Sequence, residues 1–381
     1  MKRTVWVAIV LVLGAAIVVA LLLTRRPSRQ ASLRVGVLLP LTGSAAEPGK
    51  KALQGVELAI EQYNAQHATA PVSLSVEDSQ SDPKSGVSAF NKLVSVDEAA
   101  VVIGDMMSSV TLAVAPIAER DHIVLLAPGA SSPKVRDAGD FIFRNWVSDD
   151  FDGTVMAEYL RERKGASVAA VLYVNNDYGS GLASAFRTRF EALGGKTVLS
   201  EGYPQDASDF RSTLTKISTK HPDVLYLPGQ PKEDGYIVKQ ARELGLTCTL
   251  AANLSVELPD FRTIAGPAAQ GIIYSAPAFD PDSKEAVVRD FVKAFQGKYG
   301  DAPDVTAAHG YDAARILLEA LARCQFRAER LREALYGIRD FPGVTGRTTF
   351  DDHGDVHKDI AIKQTAKDGT GVMVELYRVR S

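Results

Sequence analysis

Short, continuously apolar segments alternate along this chain with longer segments in which apolar residues recur every three or four positions. The apolar segments are rich in valine, isoleucine and leucine, which is typical of β-strands buried on both faces. The longer segments have the spacing of amphipathic helices, and Pro83 stands where a helix can begin without losing a hydrogen bond. The first predicted strands are 33–39, 72–77, 100–103 and 123–127, with predicted helices 50–64, 84–97 and 108–120 between them. This order predicts a parallel sheet with helices on both faces.

The same alternation begins again at Val168. The further predicted strands are 168–174, 197–201, 224–227, 249–251 and 272–274. Residues 283–336 predict three helices, and residues 346–378 predict antiparallel strands around turns at 351–354 and 368–369. The chain has 381 residues, of which 46% are apolar, so it is long enough for two domains and too apolar to be disordered. The predicted fold class is α/β, with two doubly wound parallel-sheet lobes.

Residues 4–23 form an uncharged apolar run with basic residues on both sides. As a helix this run would be about 30 Å long, which matches the hydrocarbon layer of a membrane. A cleaved signal peptide has an apolar region of only about 7–15 residues, so the length favours an uncleaved signal anchor, a transmembrane helix. The sequence leaves open whether this segment is removed by cleavage. We expect a periplasmic or otherwise extracytoplasmic body, anchored to the inner membrane by residues 4–23 through a short linker that ends at residue 32.

Charge and motifs narrow the range of partners. The formal net charge is −3 and no stripe of lysine and arginine is present, so a nucleic acid partner is not expected. Cys248 and Cys324 have no metal-ligand spacing, and the sequence leaves open whether they form a disulfide. No set of residues supplies a nucleophile together with its base, and no cofactor motif is complete. We therefore expect no cofactor, no metal site and no catalysis.

Small and polar residues follow several of the predicted strands. In parallel sheets ligands bind beyond the carboxyl ends of the strands, where loops and helix N-termini present free N–H groups. Ser108 and Ser109 stand at the start of a predicted helix, where an anion can bind. The loops in question are 104–109, 127–131, 175–179, 228–231 and 252–253. If the two lobes face each other, these loops lie across a cleft.

At these segments the chain resembles the leucine/isoleucine/valine-binding protein family, the solute receptors of branched-chain amino-acid ABC transporters. The resemblance spans about residues 33–378, and it depends on an ordered set of motifs, none of which is specific by itself. The motifs are VGVLLPLTG at 35–43, GVELAIEQYN at 55–64, SDP at 81–83, GDMMSS at 104–109, APGAS at 127–131, DYG at 177–179, ARELG at 241–245, GYDA at 310–313 and FDDHGD at 350–355.

The resemblance implies a type I periplasmic-binding fold and assigns roles to loop residues. Ser108, Gly129 and Ser131 match the positions that hold the α-carboxylate of the ligand. Tyr178 matches the aromatic residue that closes over the ligand from the second lobe. In the family an acidic residue pairs with the α-ammonium of the ligand, and Asn253 stands at the matching position of this sequence. Because an amide offers only a dipole where a carboxylate offers a charge, this replacement makes small carboxylates without an amine, amides and aromatic acids competitive ligands.

Two further positions depart from the family pattern and indicate altered selectivity. Gln230 stands where an aromatic residue is common, and Pro48 lies near the aromatic position of the first lobe. The implied lobes are residues 33–143 with 277–345, and residues 144–276 with 346–381. Hinge crossovers are expected near residues 143–147, 274–277 and 343–347.

The resemblance implies a receptor that closes around a small carboxylate-bearing ligand, such as an amino acid, and presents it to ABC permease subunits. A second hypothesis has the same fold, but in it the chain is a membrane-tethered sensing domain that signals to a partner. A third, of another class, is a serine hydrolase that uses Ser131 or Ser108. A purely structural role also stays open for each of these residues, such as a helix cap for Ser108 and a bend of the chain after a strand for Asn253.

Overall fold

The computed structural model describes residues 33–68, 71–367 and 369–377. The predicted anchor at residues 4–23 lies outside these ranges. Among the helices that the structure describes, none combines the length and the apolar character needed to cross a membrane.

The strands follow the predicted order with small changes at their ends. They are β1 (Leu33–Leu39), β2 (Val72–Asp78), β3 (Val101–Gly104), β4 (Val124–Ala127), β5 (Ile142–Arg144), β6 (Val168–Val174), β7 (Lys196–Tyr203), β8 (Val224–Leu227), β9 (Thr249–Ala252), β10 (Ile273–Pro277), β11 (Phe341–Gly343), β12 (Gly346–Thr348), β13 (Ile360–Thr365) and β14 (Gly371–Tyr377).

The helices alternate with these strands. They are α1 (Ala46–Gln66), α2 (Pro83–Ser95), α3 (Ser108–Asp121), α4 (Asp149–Glu158), α5 (Asp177–Ala192), α6 (Arg211–Ser218), α7 (Pro231–Glu243), α8 (Pro259–Ala265), α9 (Ala286–Tyr299), α10 (Val305–Arg323) and α11 (Leu331–Tyr336). Pro83 occupies the first turn of α2, where the Asp82 side chain accepts from the backbone N–H of Ser85.

Lobe 1 is built on a five-stranded parallel sheet in the order β2-β1-β3-β4-β5. Every residue of β3 and β4 is buried, because helices cover both faces of the sheet. On one face, α1, α9, α10 and α11 pack against the strands and share a core with Val35 and Phe143. On the other face, Phe90 of α2 and Val114 of α3 pack around Leu38.

Lobe 2 is built on a seven-stranded sheet in the order β14-β13-β10-β9-β8-β6-β7. Pairing is parallel from β7 to β10, whereas β13 and β14 are antiparallel additions at one edge. Helices α6, α7 and α8 cover one face, and α4 and α5 cover the other, where Phe186 and Tyr226 lie with ring centroids 4.4 Å apart. The two sheets with helices on both faces confirm the predicted fold class.

Within the described ranges, the chain crosses between the two sheets three times. It leaves the first sheet after β5, returns after β10 and enters the second sheet again before β13. The short strand β5 was not predicted and begins within one residue of the crossover expected at 143–147. Phe350 and Val356 pack in the core of lobe 1, although the predicted boundary places residues from 346 onward in lobe 2. The third crossover therefore lies nearer to β13.

The predicted strands around the turn at 351–354 are wrong. A single bridge, between Phe350 and Val356, closes this turn, and β12 pairs with β11 instead. The Asp351 side chain accepts from the backbone N–H groups of His353 and Asp355, each at 2.9 Å, so the segment is a tight polar turn. The strands predicted on either side of residues 368–369 do pair antiparallel, as β13 and β14. Both cysteines are free, with Cys248 half-buried and Cys324 buried.

Candidate functional site

A cavity of about 110 Å³ lies between the carboxyl ends of the two sheets. All six residues that the sequence predicts for the site line it, together with Pro48. The lining residues with polar or aromatic side chains are Ser108, Ser131, Trp146, Asp149, Asp152, Tyr178, Gln230, Asn253, Ser255 and Thr306. The loops after β3 and β4 provide one wall, and the loops after β6, β8 and β9 provide the opposite wall. The structure thus brings the predicted residues together across the cleft.

A more open cavity of about 500 Å³ adjoins this site and shares Leu254 and Leu258 with it. It is lined by charged side chains of both lobes, including Glu47 and Arg262, and by none of the loops that follow β3, β4 and β6. Burial, together with the charges of Asp304 and Asp260, raises the pKa of Glu47 to about 7. The smaller cavity is the candidate site because the loops at the strand ends converge there.

The wall from lobe 1 presents hydrogen-bond donors to the cavity. Ser108 is the first residue of α3, and its hydroxyl accepts from the backbone N–H of Ser132 at 3.0 Å, which leaves the hydroxyl hydrogen available. The N-cap of α3 is Met107, whose side chain makes no capping bond, so Ser108 is not the cap of this helix. The N–H groups of the first turn have no partner inside a helix. Together these donors suit an anion.

Gly129 lies on the same wall, in the loop after β4. A Cβ atom at Gly129 would stand 2.4 Å from Cε of Met106, which also lines the cavity. The absence of a side chain therefore lets the two loops pack closely and leaves the backbone of residue 129 open to the cavity.

Arg144, at the end of β5, holds the loop that carries Ser131. One of its nitrogens, Nη1, donates to the carbonyl oxygens of Ser131 and Ser132, each at 2.9 Å. The rest of the guanidinium pairs with both oxygens of Asp355 at 2.5 and 2.6 Å, and both side chains are buried. A bidentate pair of this kind fixes orientation as well as charge. Arg144 is therefore a positioning residue for the wall from lobe 1.

The wall from lobe 2 centres on Asn253, whose side chain is fully engaged. Its Oδ1 accepts from the backbone N–H of Ser255 at 2.7 Å, and its Nδ2 donates both to the Gly229 carbonyl at 3.0 Å and to the Tyr178 hydroxyl. Asn253 thus caps a short helical turn and orients Tyr178. It has no further hydrogen to donate.

Gln230 precedes α7 and is half-buried at the cavity. Its carbonyl oxygen accepts from the backbone N–H of Asp234, a buried residue whose carboxylate accepts from the Ser255 hydroxyl at 2.5 Å. Burial raises the pKa of Asp234 well above its usual range. These bonds form a second layer that supports the loops after β8 and β9.

Two carboxylates at the start of α4, Asp149 and Asp152, also line the cavity. Asp149 is 1% exposed, and its backbone N–H donates to the Ser131 carbonyl at 2.8 Å. Burial and the charge of Asp152 raise the pKa of Asp149 well above its usual range, and the Ser131 hydroxyl and Arg144 oppose the increase. Burial raises the pKa of Asp152 to about 6. Burial, with these two carboxylates and Asp234, raises the pKa of Tyr178 as well.

Comparison with known proteins agrees with this architecture. The model of the periplasmic binding protein family matches residues 32–370. The chain belongs to the leucine/isoleucine/valine-binding family of type I periplasmic binding proteins. This membership confirms the resemblance found in the sequence, and it implies an extracytoplasmic location for a solute-binding protein.

Several members of the family are similar to this chain over most of its length. The leucine-, isoleucine-, valine-, threonine- and alanine-binding protein of Pseudomonas aeruginosa is 28% identical over 350 residues, which are 90% of this chain and 92% of that protein. The leucine-binding protein LivK of Thermotoga maritima has a TM-score of 0.86 and 27% identity, with 91% of this chain and 99% of that chain covered. The branched-chain amino acid transporter substrate-binding protein LivJ of Streptococcus pneumoniae, solved with isoleucine, has a TM-score of 0.84 and 25% identity, with 91% and 100% covered.

Sequence reasoning missed several residues in and behind the lining of the site of this periplasmic binding protein. Trp146 lines the cavity and lies against His309, with ring centroids 4.3 Å apart, but its segment was interpreted only as a crossover. Asp149 and Asp152 follow Ser148 in a pattern that resembles an ordinary acidic helix start. Arg144 is an isolated cation in an apolar segment, and such a residue, when buried, has to be paired. The isolated arginine was therefore a signal in the sequence for a buried ion pair.

Proposed function

We propose that this periplasmic binding protein is the extracytoplasmic solute receptor of an ABC transporter and captures a small carboxylate-bearing ligand, such as an amino acid, by hinge closure. One observation carries the proposal. Six residues predicted from loops of both lobes line one small cavity between the carboxyl ends of two sheets. A ligand there contacts both lobes, and closure is favoured to the extent that these contacts are better in the closed form.

In this proposal the carboxylate of the ligand binds lobe 1. Ser108 donates its hydroxyl hydrogen, and Gly129 and Ser131 offer the backbone and hydroxyl groups of the next loop. Tyr178 and Gln230 then cover the ligand from lobe 2. Asn253 acts indirectly, because its donors are already given to Tyr178 and Gly229.

Contacts between the rims of the lobes support a closed arrangement. Lys134 of lobe 1 pairs with Asp177 of lobe 2 at 2.7 Å, and Gln205 of lobe 2 donates to the Ser44 hydroxyl of lobe 1. Both contacts lie away from the cavity, so they add to closure without contacting the ligand. The proposed hinges are the crossovers after β5, after β10 and before β13.

We further propose that residues 4–23 anchor the protein to the inner membrane and that ABC permease subunits recognise the closed form. Fractionation of cells tests the anchor. The full chain should sediment with membranes and resist extraction at high pH, whereas recovery of the body in the soluble periplasmic fraction would contradict anchoring.

Binding itself is the output of the proposed receptor, with no bond made or broken. No histidine, lysine or cysteine stands among the described residues that line the cavity, and the Ser108 hydroxyl already accepts from Ser132. The test is a thermal-shift screen of the full chain against amino acids, small carboxylates and amides, since a ligand that binds the folded form raises the Tm. A saturable shift that Ser108→Ala reduces supports the proposal. The absence of any shift, or turnover of an ester or amide that Ser131→Ala abolishes, contradicts it.

A further inference from the structure

The first turns of α5, in lobe 2, pack against a corner of lobe 1 formed by residues 132–134. The Lys134 ammonium pairs with Asp177, the first residue of α5, at 2.7 Å. Gly181 lies four residues further along, on the same face of the helix. Gly181 and the three residues of the corner line a groove of about 690 Å³, and none of them lines the candidate site.

Gly181 lacks a side chain at a point where a side chain would meet the other lobe. An added Cβ atom would stand 2.9 Å from Cδ of Pro133, whereas carbon atoms in ordinary contact are about 3.5–4.0 Å apart. The Pro133 ring is rigid, so it cannot turn away as the end of a long side chain can. Among the described glycines, Gly181 is the one whose added Cβ would have an atom of the opposite lobe as its nearest neighbour.

The helix itself does not require a glycine at this position. Gly181 has no positive φ, so its backbone conformation is open to any residue. Alanine is the best helix former and glycine is among the poorest, so α5 would be more stable with alanine there. The other two neighbours of an added Cβ, Ser132 Oγ at 3.5 Å and Asp149 Oδ2 at 3.6 Å, are at ordinary contact distances. The close approach of Pro133 is therefore the feature that calls for glycine.

We propose that Gly181 is a positioning residue for closure, because its missing side chain lets the corner of lobe 1 seat on α5 when the receptor closes around a ligand. This inference rests on the proposed function, since it concerns how the receptor closes. The corner follows Ser131 in sequence, and Tyr178 precedes Gly181 on α5, so the contact is next to a predicted binding residue of each lobe. A side chain at residue 181 would hold these two walls roughly 0.5–1 Å farther apart.

The open form has no such conflict. In hinge closure the lobes move as bodies about the crossovers, so a side chain at residue 181 has room when the lobes are apart. The clash arises only when the corner reaches α5. A larger residue therefore shifts the equilibrium toward the open form, and it weakens every ligand that has to contact both lobes.

Isothermal titration calorimetry and thermal unfolding of the full chain test the inference with a matched pair of glycines. The variants are Gly181→Ala and Gly181→Leu, since alanine and leucine are both strong helix formers and differ in size. Gly297→Ala and Gly297→Leu are the controls, because Gly297 lies inside α9 and an added Cβ there would have no neighbour within 4 Å. The compounds are L-leucine, L-phenylalanine, L-alanine, propanoate and benzoate.

Stability and affinity should change in opposite directions at Gly181. Without ligand, Gly181→Ala and Gly297→Ala should each raise the Tm by about 2–4 °C, because each replaces a helical glycine. For a compound that binds the parent protein, Gly181→Ala should weaken affinity by about 10-fold and Gly181→Leu by about 100-fold, as overpacking of a closed contact does. Both Gly297 variants should stay within about 3-fold of the parent protein. A residue needed only for folding would not separate the two measurements in this way.

A second substitution tests whether the clash is with Pro133. Pro133→Ala removes the Cδ atom that the new side chain would meet, and alone it should change affinity by no more than about 3-fold. The double variant, Gly181→Ala with Pro133→Ala, should recover most of the affinity that Gly181→Ala loses.

Three results would overturn the inference while the proposed function stands. The first is a compound that binds the Gly181 variants as tightly as the Gly297 variants. The second is a loss of affinity in Gly181→Ala that Pro133→Ala does not restore. The third is a lower Tm for Gly181→Ala without ligand, because the side chain would then clash in the free protein as well. If no compound of the panel binds the parent protein, the proposed function is contradicted and the inference falls with it.

Discussion

Replacement of Arg144 by methionine tests whether the buried ion pair organises the site. The side chain of Arg144 is 1% exposed and that of Asp355 is 6% exposed, so Arg144→Met leaves an unpaired carboxylate in the interior. It also removes the donor to the carbonyl oxygens of Ser131 and Ser132. Loss of one partner from a buried pair costs about 3–5 kcal/mol. For domains of about 150–250 residues, each kcal/mol lowers the Tm by about 2–4 °C, which gives a decrease of roughly 10 °C.

An exposed pair of similar geometry provides the control. Arg163 contacts both oxygens of Glu375 at 3.2 and 3.3 Å, but the two side chains are 57% and 31% exposed. Such a pair contributes at most about 1 kcal/mol, so Arg163→Met should lower the Tm by no more than a few degrees. Differential scanning calorimetry of both variants decides the matter. Equal decreases would refute the reasoning, as would a double variant, Arg144→Met with Asp355→Leu, that is no more stable than Arg144→Met alone.

Three further predictions concern the cleft. Asn253→Asp should weaken ligand binding, measured by calorimetry, because the new carboxylate cannot donate to the Gly229 carbonyl and adds charge beside existing acids; tighter amino acid binding would contradict the assigned role. The pKa of Asp152 is about 6 in the folded protein and about 4 in the unfolded chain. Between these pH values the folded state therefore binds more protons than the unfolded state. The contribution of Asp152 to stability thus falls as the pH rises from about 4 to about 6. The stability of Asp152→Asn relative to the parent protein should therefore increase across this window, by up to about 3 kcal/mol in urea titrations, and a constant difference would count against it. Lys134→Ala removes an exposed pair between the lobes and should weaken affinity by at most about 5-fold, with a smaller effect at high salt.

Much of the fold could be predicted from the sequence because its strands are buried on both faces. Such strands form short apolar runs, so β1 and β6 were predicted with their observed ends. The strand β5 has only three residues and is too short for periodicity to identify. The hairpin of β11 and β12 was missed for the same reason, since each strand has three residues and neither alternates clearly.

The site was predictable to the extent that it depends on strand ends. All six predicted residues line the cavity, although their roles in binding stay predictions. The hydrogen bonds that saturate Asn253 could not be predicted, because they join three loops that are distant in sequence. The same holds for Asp149, which adjoins Ser131 only because the first crossover passes beside the loop after β4.

The fluorescence of Trp146 tests the central claim, that a small ligand binds between the two lobes at the strand ends. The chain contains two tryptophans, Trp6 and Trp146, so Trp6→Phe in the full chain leaves one tryptophan, and it lines the cavity. Titration with the amino acids and small acids named above should give a saturable change in its emission, at the affinity found by calorimetry, and Ser108→Ala should weaken that response. Calorimetric binding without any change in the emission of Trp146 would contradict the account.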